Sequence, residues 1–119
     1  MKQICTISIL VFSFHSLVGQ LIFEDFEDAT NENTKLIVLE TPSSSIFTLQ
    51  PIKEVTQMAK KRGIYVIVDN TLATPLYQSP LELGADLEIH SCSKYLNGHS
   101  DVIMGLVAGK KSIMNKLIM

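Results

Sequence analysis

A lysine preceded by hydroxyl groups is the feature of this sequence best suited to chemistry. Lys94 follows Ser91 and Ser93 at the end of a short apolar run. A lysine amine forms a Schiff base with a carbonyl when it is held beside that carbonyl and partly desolvated. The two hydroxyls, one and three residues earlier, are placed to hydrogen-bond a phosphate. Lys94 and these two hydroxyls would together suit a carbonyl compound that carries a phosphate.

A carboxylate at the end of another apolar run extends this prediction. Asp69 closes the run IYVIVD at 64–69. A carboxylate there would keep a pyridine nitrogen protonated, which pyridoxal phosphate (PLP) requires in order to act as an electron sink. Each residue alone also has an ordinary explanation, since lysines are mostly solvated and Asp or Ser near strand ends commonly bonds local backbone. These residues alone therefore leave a PLP site and ordinary structural roles both open.

The elements that would position these residues alternate between strands and helices. A helix is predicted to begin near Pro51 and to stop at Gly63, with Ile52, Val55 and Ala59 on one face. Residues 24–34 are predicted to form a loop or an irregular helix, and residues 110–119 the start of another helix. Strands are predicted at 21–23, 35–40, 64–68, 86–90 and 103–108. This alternation predicts an α/β fold with a mostly parallel sheet and flanking helices.

The carboxyl ends of the predicted strands are where ligands bind in open α/β sheets. The polar groups that follow those ends are Ser43 and Ser44, residues 69–71 and residues 91–94. We therefore expect these groups to meet at one edge of the sheet.

Longer strings of sequence resemble a known family. VDNT at 68–71, LGADL at 83–87 and HSCSKYLNGHSD at 90–101 closely resemble the PLP-dependent enzymes of cysteine and methionine metabolism. That family includes cystathionine γ-synthase, the cystathionine β- and γ-lyases and methionine γ-lyase. The resemblance covers roughly residues 23–111, and it implies the large PLP-binding domain of a fold-type-I enzyme, like that of aspartate aminotransferase.

The resemblance also implies roles for particular residues. Lys94 would bind PLP covalently and act as the catalytic base, and Asp69 would pair with the pyridine nitrogen. Ser91 and Ser93 would contact the phosphate, and Thr71 would lie near the cofactor.

The sequence departs from the family pattern at Ser93, Ser44 and Ser45. The family usually has Thr where this chain has Ser93, and the hydroxyl is kept. It commonly has Asn, resembling a donor to the cofactor's ring oxygen, where this chain has Ser44, and Pro where it has Ser45. Serine is shorter than asparagine, so Ser44 would make a weaker version of this cofactor contact.

The resemblance implies a trans-sulfuration enzyme that carries out β- or γ-elimination, or γ-replacement, on sulfur amino acids such as cystathionine. The expected organisation is an unmatched apolar segment at 1–20 and a partial PLP-binding domain at 21–119, truncated at both ends. The family's phosphate loop and stacking tyrosine would lie upstream, and its substrate-binding arginine downstream. The alternative is a non-catalytic remnant with vestigial cofactor-site residues. Complete family members would be homo-oligomers.

The amino-acid composition limits which other classes of protein this chain could belong to. The chain has 119 residues, 46% of them hydrophobic and 18% charged, with a net charge of -2, which suits one small domain that can bury a core. It has no basic stripe, so nucleic acid is a poor candidate partner. Two cysteines and three histidines do not recur at metal-site spacing, so no metal is expected and a cytoplasmic setting is the default.

The amino-terminal residues allow a different interpretation. Residues 4–23 contain no charged side chain, and Lys2 precedes them. This pattern would suit a signal peptide or a membrane anchor, but His15 and Gln20 interrupt its apolarity. The other interpretations are a buried strand or helix, or residues left by a displaced start of translation.

Overall fold

The computed structural model describes the backbone of residues 8–12 and, in full, residues 22–118. Within this part of the chain one five-stranded sheet is accompanied by four helices. The strands are β1 (Ser8–Phe12), β2 (Thr34–Glu40), β3 (Tyr65–Asp69), β4 (Leu87–Ser91) and β5 (Gly105–Gly109). The helices are α1 (Phe23–Ala29), α2 (Ile52–Arg62), α3 (Thr74–Tyr77) and α4 (Lys111–Leu117).

The strands lie side by side in chain order, from β1 to β5. Neighbours from β1 to β4 are parallel, whereas β5 runs antiparallel to β4. Residues 92–104, between β4 and β5, contain turns and bends but no helix that could carry the chain back across the sheet. The mostly parallel sheet predicted from the sequence is confirmed, with β5 as its exception.

One predicted strand is wrong. Residues 21–23 were expected to be extended, but Phe23 begins α1, and residue 21 lies outside the described residues. The Asp25 carboxylate accepts a hydrogen bond of 2.9 Å from the backbone N–H of Ile22, and Glu24 and Asp25 suit the positive end of a helix. Phe23 and Phe26 are three residues apart, so both face the interior from the same side of α1.

One side of the sheet, called the helix face below, carries the hydrophobic core. Ile37 and Leu39 of β2 and Val66 and Val68 of β3 are buried there against α1 and α2. α2 buries the face that the sequence predicted, and it ends at Gly63, which adopts a left-handed φ of 68°. The helices contribute Phe26, Ile52, Val55, Met58 and Ala59 to this core.

Alternate residues of the same strands form the opposite side, called the open face below. Val38, Ile67 and Ile89 are half-buried there, Tyr65 is 51% exposed and Val107 is 46% exposed. Apolar side chains of the described residues are therefore partly exposed on this side of the sheet.

The apolar run at residues 4–23 falls largely outside the described residues. Within it, Ser8–Phe12 form β1, which is parallel to β2. Among the described residues, no helix combines the length and the apolarity needed to cross a bilayer.

Candidate functional site

A cavity of about 190 Å³ opens where β2, β3 and β4 end. It lies at the edge of the sheet that the sequence predicted, because parallel strands present their carboxyl ends together. Its polar and charged lining consists of Glu40, Ser44, Asp69, Thr71, Lys94 and Tyr95. The amine of Lys94 and the carboxylate of Asp69 thus belong to one cavity.

Asp69 is held by the loop that follows it. Its Oδ1 accepts hydrogen bonds from the Thr71 backbone N–H at 3.0 Å and from the Thr71 hydroxyl at 2.5 Å. The same hydroxyl oxygen accepts a hydrogen bond of 2.8 Å from the backbone N–H of Ser91. Thr71 therefore ties the end of β3, with its carboxylate, to the end of β4, from which the chain leads to Lys94.

Lys94 lies on a turn directly after β4. Its backbone N–H donates to the Ser91 carbonyl oxygen at 3.1 Å, and the Gly98 N–H donates to the Tyr95 carbonyl oxygen at 3.2 Å. Gly98 has a φ of 69°, a conformation that glycine adopts without strain. This turn leaves Lys94 exposed beside the cavity.

Ser44 lines the cavity, but Ser91 and Ser93 do not. The Ser93 hydroxyl accepts a hydrogen bond from the Met104 N–H at 3.0 Å and lies 3.4 Å from the Met104 carbonyl oxygen, to which it donates. Both hydrogen bonds of the Ser93 hydroxyl are thus made with Met104, the residue before β5. The phosphate contacts assigned to Ser91 and Ser93 stay predictions.

Glu40 is a cavity residue that the sequence analysis did not single out. It closes β2 and is paired in register with Asp69 across the sheet. The rule that drew attention to Asp69, a charge at the carboxyl end of an apolar strand, would have found it. Phe47 and Leu72, in the loops beyond β2 and β3, also line the cavity. Neither carries a sequence signal, because apolar loop residues fit many other roles.

The cavity does not contain a metal-binding constellation. Among residues 22–118, no group of three or more His, Cys, Asp or Glu side chains could hold a metal ion. The chemistry available to the site comes from its amine, its carboxylates and its hydroxyls.

Comparison with known proteins assigns this chain to a family. Residues 7–119 match the family described as Cys/Met metabolism PLP-dependent enzyme. The chain is 50% identical over 95 residues to an L-methionine gamma-lyase of Porphyromonas gingivalis, covering 79% of this chain and 24% of that protein. It is 49% identical over 84 residues to a cystathionine gamma-lyase of Bacillus subtilis, covering 71% of this chain and 22% of that protein.

A solved structure shows the same fold. The crystal structure of metB from Corynebacterium glutamicum superposes with a TM-score of 0.77 at 38% identity, covering 83% of this chain and 26% of that chain. The chain belongs to the Cys/Met metabolism PLP-dependent enzyme family, and it has the fold-type-I α/β architecture predicted from the sequence. It spans about a quarter of the length of the curated relatives it matches. The boundary at residue 20 stays a prediction.

PLP is the cofactor that the family implies, and part of the site fits it. An amine suits the aldehyde of the cofactor, and a carboxylate suits its ring nitrogen, and both line the cavity. The cavity is smaller than the roughly 300–1,000 Å³ of ordinary ligand pockets. The residues that line this cavity would therefore form one wall of such a site, with the lysine and the acid on it.

Proposed function

We propose that this family member supplies the lysine and the ring-binding acid of a PLP site in an enzyme that acts on sulfur amino acids. The reaction class is elimination at the β or γ carbon, or replacement at the γ carbon. The observation that carries the proposal is that Lys94 and Asp69 line one cavity at the carboxyl edge of the sheet. The named activities of the relatives, on methionine and cystathionine, support the substrate class.

The residues of this chain would divide the chemistry between them. PLP, when bound, supplies an electron sink for charge that develops on the substrate. Asp69, whose orientation Thr71 fixes, would accept a hydrogen bond from the protonated ring nitrogen. Lys94 would hold the cofactor through its amine, and the same amine would serve as the base that takes the proton from the α carbon of the substrate. Ser44 would add a hydroxyl contact from the β2 side.

We also propose that another polypeptide surface completes the site in a homo-oligomer, in a cytoplasmic setting. Support comes from the open face, where the half-buried Val38, Ile67 and Ile89 and the exposed Val107 lie on neighbouring strands. Contiguous apolar surface commonly marks a contact with protein. Light scattering on the purified chain would give its molar mass, and a monomer at all concentrations would contradict this part of the proposal.

Covalent trapping tests the central claim. The purified chain is mixed with PLP and reduced with borohydride, and the modified lysine is located by peptide mass spectrometry. We expect modification at Lys94 and its loss in Lys94→Ala. Lys53→Ala is the matched control, because Lys53 is an exposed lysine of α2 that does not line the cavity. Equal modification of many lysines, or modification that Lys94→Ala leaves unchanged, would show that the assignment is wrong.

A non-catalytic remnant that retains cofactor-site residues is the second candidate, and the small volume of the cavity, about 190 Å³, favours it. Release of 2-oxo acid from methionine or cystathionine separates the two functions. Trapping at Lys94 together with turnover supports the enzyme, and trapping without turnover supports the remnant.

A further inference from the structure

A buried acid lies on the helix face of β4, behind the candidate site. The Glu88 side chain is only 8% exposed, and that of His90, two residues later on the same face, is 1% exposed. Glu88 Oε1 lies 2.7 Å from His90 Nε2 and accepts a hydrogen bond of 2.8 Å from Asn70 Nδ2. Burying a carboxylate without such donors costs free energy, so the hydrogen bonds from Asn70 and His90 are what allow Glu88 to be buried.

The chemistry of the carboxylate fixes the direction of the bond to His90. A carboxylate oxygen only accepts, so Nε2 of His90 donates to Glu88. Nδ1 of His90 is buried and has no hydrogen-bond partner among residues 22–118. The tautomer with its hydrogen on Nε2 leaves a lone pair at Nδ1 rather than a buried N–H without an acceptor.

Asn70 carries the network from β4 to the other strand ends. Its Nδ2 also donates to the Gln78 carbonyl oxygen at 2.9 Å. The side-chain Nε2 of Gln78 donates to Asn70 Oδ1 at 2.9 Å and to the Thr41 carbonyl oxygen at 2.7 Å. The residues just beyond β2 and β3 are thereby joined to the middle of β4.

Two anchor points of this network are chain neighbours of cavity residues, and a third adjoins a residue that is hydrogen-bonded to one of them. Thr41 follows Glu40, and Asn70 stands between Asp69 and Thr71. His90 precedes Ser91, whose N–H is bound by the Thr71 hydroxyl. Because side chains alternate across a strand, the network holds from behind the backbone segments that present the cavity residues in front.

We propose that Glu88 is a positioning residue for the cofactor site. Glu88 does not line the cavity, and it acts through Asn70 and His90 by fixing the ends of β3 and β4 in register. This inference rests on the proposed function, which makes Asp69, Thr71 and Lys94 the residues that need to be fixed. It explains why a charged residue, Glu88, occupies a buried position in β4 where an apolar side chain would be expected.

Amide hydrogen exchange on the full chain without cofactor tests the network itself. The reporters are the N–H groups of Thr71 and Ser91, which are bonded within the site, and the N–H of Ile64, which is bonded at the end of α2. In Glu88→Ala we expect exchange at Thr71 and Ser91 to rise about tenfold or more, with Ile64 changed far less. Glu88→Gln keeps an acceptor oxygen and should stay within about threefold of the wild type.

A matched control removes a buried hydrogen bond elsewhere. The Thr56 hydroxyl is buried in α2 and donates to the Leu83 carbonyl oxygen at 2.7 Å. Thr56→Val should leave exchange at the two site amides unchanged. If Glu88→Ala does not fold, Gln78→Ala removes the outer link of the same network, and it should raise exchange at Thr71 about threefold.

Two outcomes overturn the proposal. One is a uniform rise at Thr71, Ser91 and Ile64, which would give Glu88 a purely global stabilising role. The other is no rise at the site amides in either network variant. Borohydride trapping of PLP at Lys94 then adds the functional readout, with a loss of about tenfold expected in Glu88→Ala and rescue in Glu88→Gln. If the wild type traps no PLP, the proposed function fails, whereas the exchange data still decide whether the network holds the strand ends.

Discussion

Leu39 and Glu40 are neighbours in β2, but they occupy different environments. Leu39 is fully buried on the helix face, whereas Glu40 lines the cavity. Val68 and Asp69 repeat the arrangement at the end of β3. Consecutive side chains of a strand point to opposite sides, so one backbone segment serves both environments. Stability and chemistry are thereby assigned to adjacent residues, and a change at one need not disturb the other.

In β4, the separation between the buried core face and the cavity face is incomplete. Its helix face carries Glu88 and His90 in place of apolar side chains, and their hydrogen bonds reach Asn70 beside Asp69. At this strand the polar network behind the sheet adjoins the cavity in front of it. The two faces are therefore expected to be independent in β2 and coupled in β4.

The largest effect is expected from the core. Leu39→Ala should lower the free energy of unfolding by about 2–5 kcal/mol, because it leaves a cavity in a fully buried cluster. Its neighbour Val38 is half-buried on the open face, so Val38→Ala should cost only about 1 kcal/mol. Urea unfolding followed by circular dichroism measures both. If the two variants lost the same free energy of unfolding, the two faces of β2 would be equally well packed, and the contrast between them would be wrong.

A smaller loss is expected at the antiparallel edge. A Cβ at Gly109 would clash with Leu87 Cδ2 and lie 2.8 Å from the Asp86 carbonyl oxygen. Gly109→Ala should therefore cost about 1–3 kcal/mol, since backbone in the β4–β5 pair cannot yield easily. In the same strand, a Cβ at Gly105 would meet only the His90 carbonyl oxygen at 3.8 Å. Gly105→Ala is thus the control, and thermal unfolding should separate the two variants clearly.

The helix face also depends on how α2 ends. Gly63 has a φ of 68°, and a Cβ there would meet nothing within 4 Å, so its replacement adds conformational strain alone. Gly63→Ala should cost about 1 kcal/mol in unfolding free energy. Gly63→Asn should cost less, because asparagine tolerates this conformation better. If both variants were neutral, the left-handed end of α2 would not contribute to stability.

The smallest change in stability is expected at Asp69. The substitution Asp69→Asn keeps an acceptor oxygen for Thr71, so it should change the unfolding free energy by less than about 0.5 kcal/mol. PLP trapping at Lys94 in this variant should nevertheless fall about tenfold, since the charge that favours a protonated ring nitrogen is gone. A loss of stability as large as that of Leu39→Ala would show that the open face also supports the core.

Continuous apolar runs and turn residues made much of the fold predictable. β2, β3 and α2 were found because their side-chain patterns are long and end at clear signals such as Gly63. Residues 21–23 were predicted as a strand because three apolar residues carry too little periodicity to distinguish a strand from the start of a helix. The antiparallel direction of β5 depends on pairing with β4, and no local pattern reports it.

The candidate site was predictable where it follows from strand ends. The carboxyl-end rule brought Ser44, Asp69 and Lys94 to one edge, and the structure places all three in one cavity. Ser93 differs because its hydroxyl partner is Met104, eleven residues away, and that pairing exists only once β5 has returned beside β4. Glu88 was passed over because a single charge within a short strand looks like an exposed position until its partners are known.

The spatial sequence of the strands, β1 to β5, repeats the sequence of their synthesis. A ribosome would release each strand beside the one already waiting, and no late segment would have to be threaded between two earlier ones. All the residues that line the cavity lie between Glu40 and Tyr95. We therefore expect this wall of the cavity to form soon after Tyr95 leaves the exit tunnel, before β5 has docked.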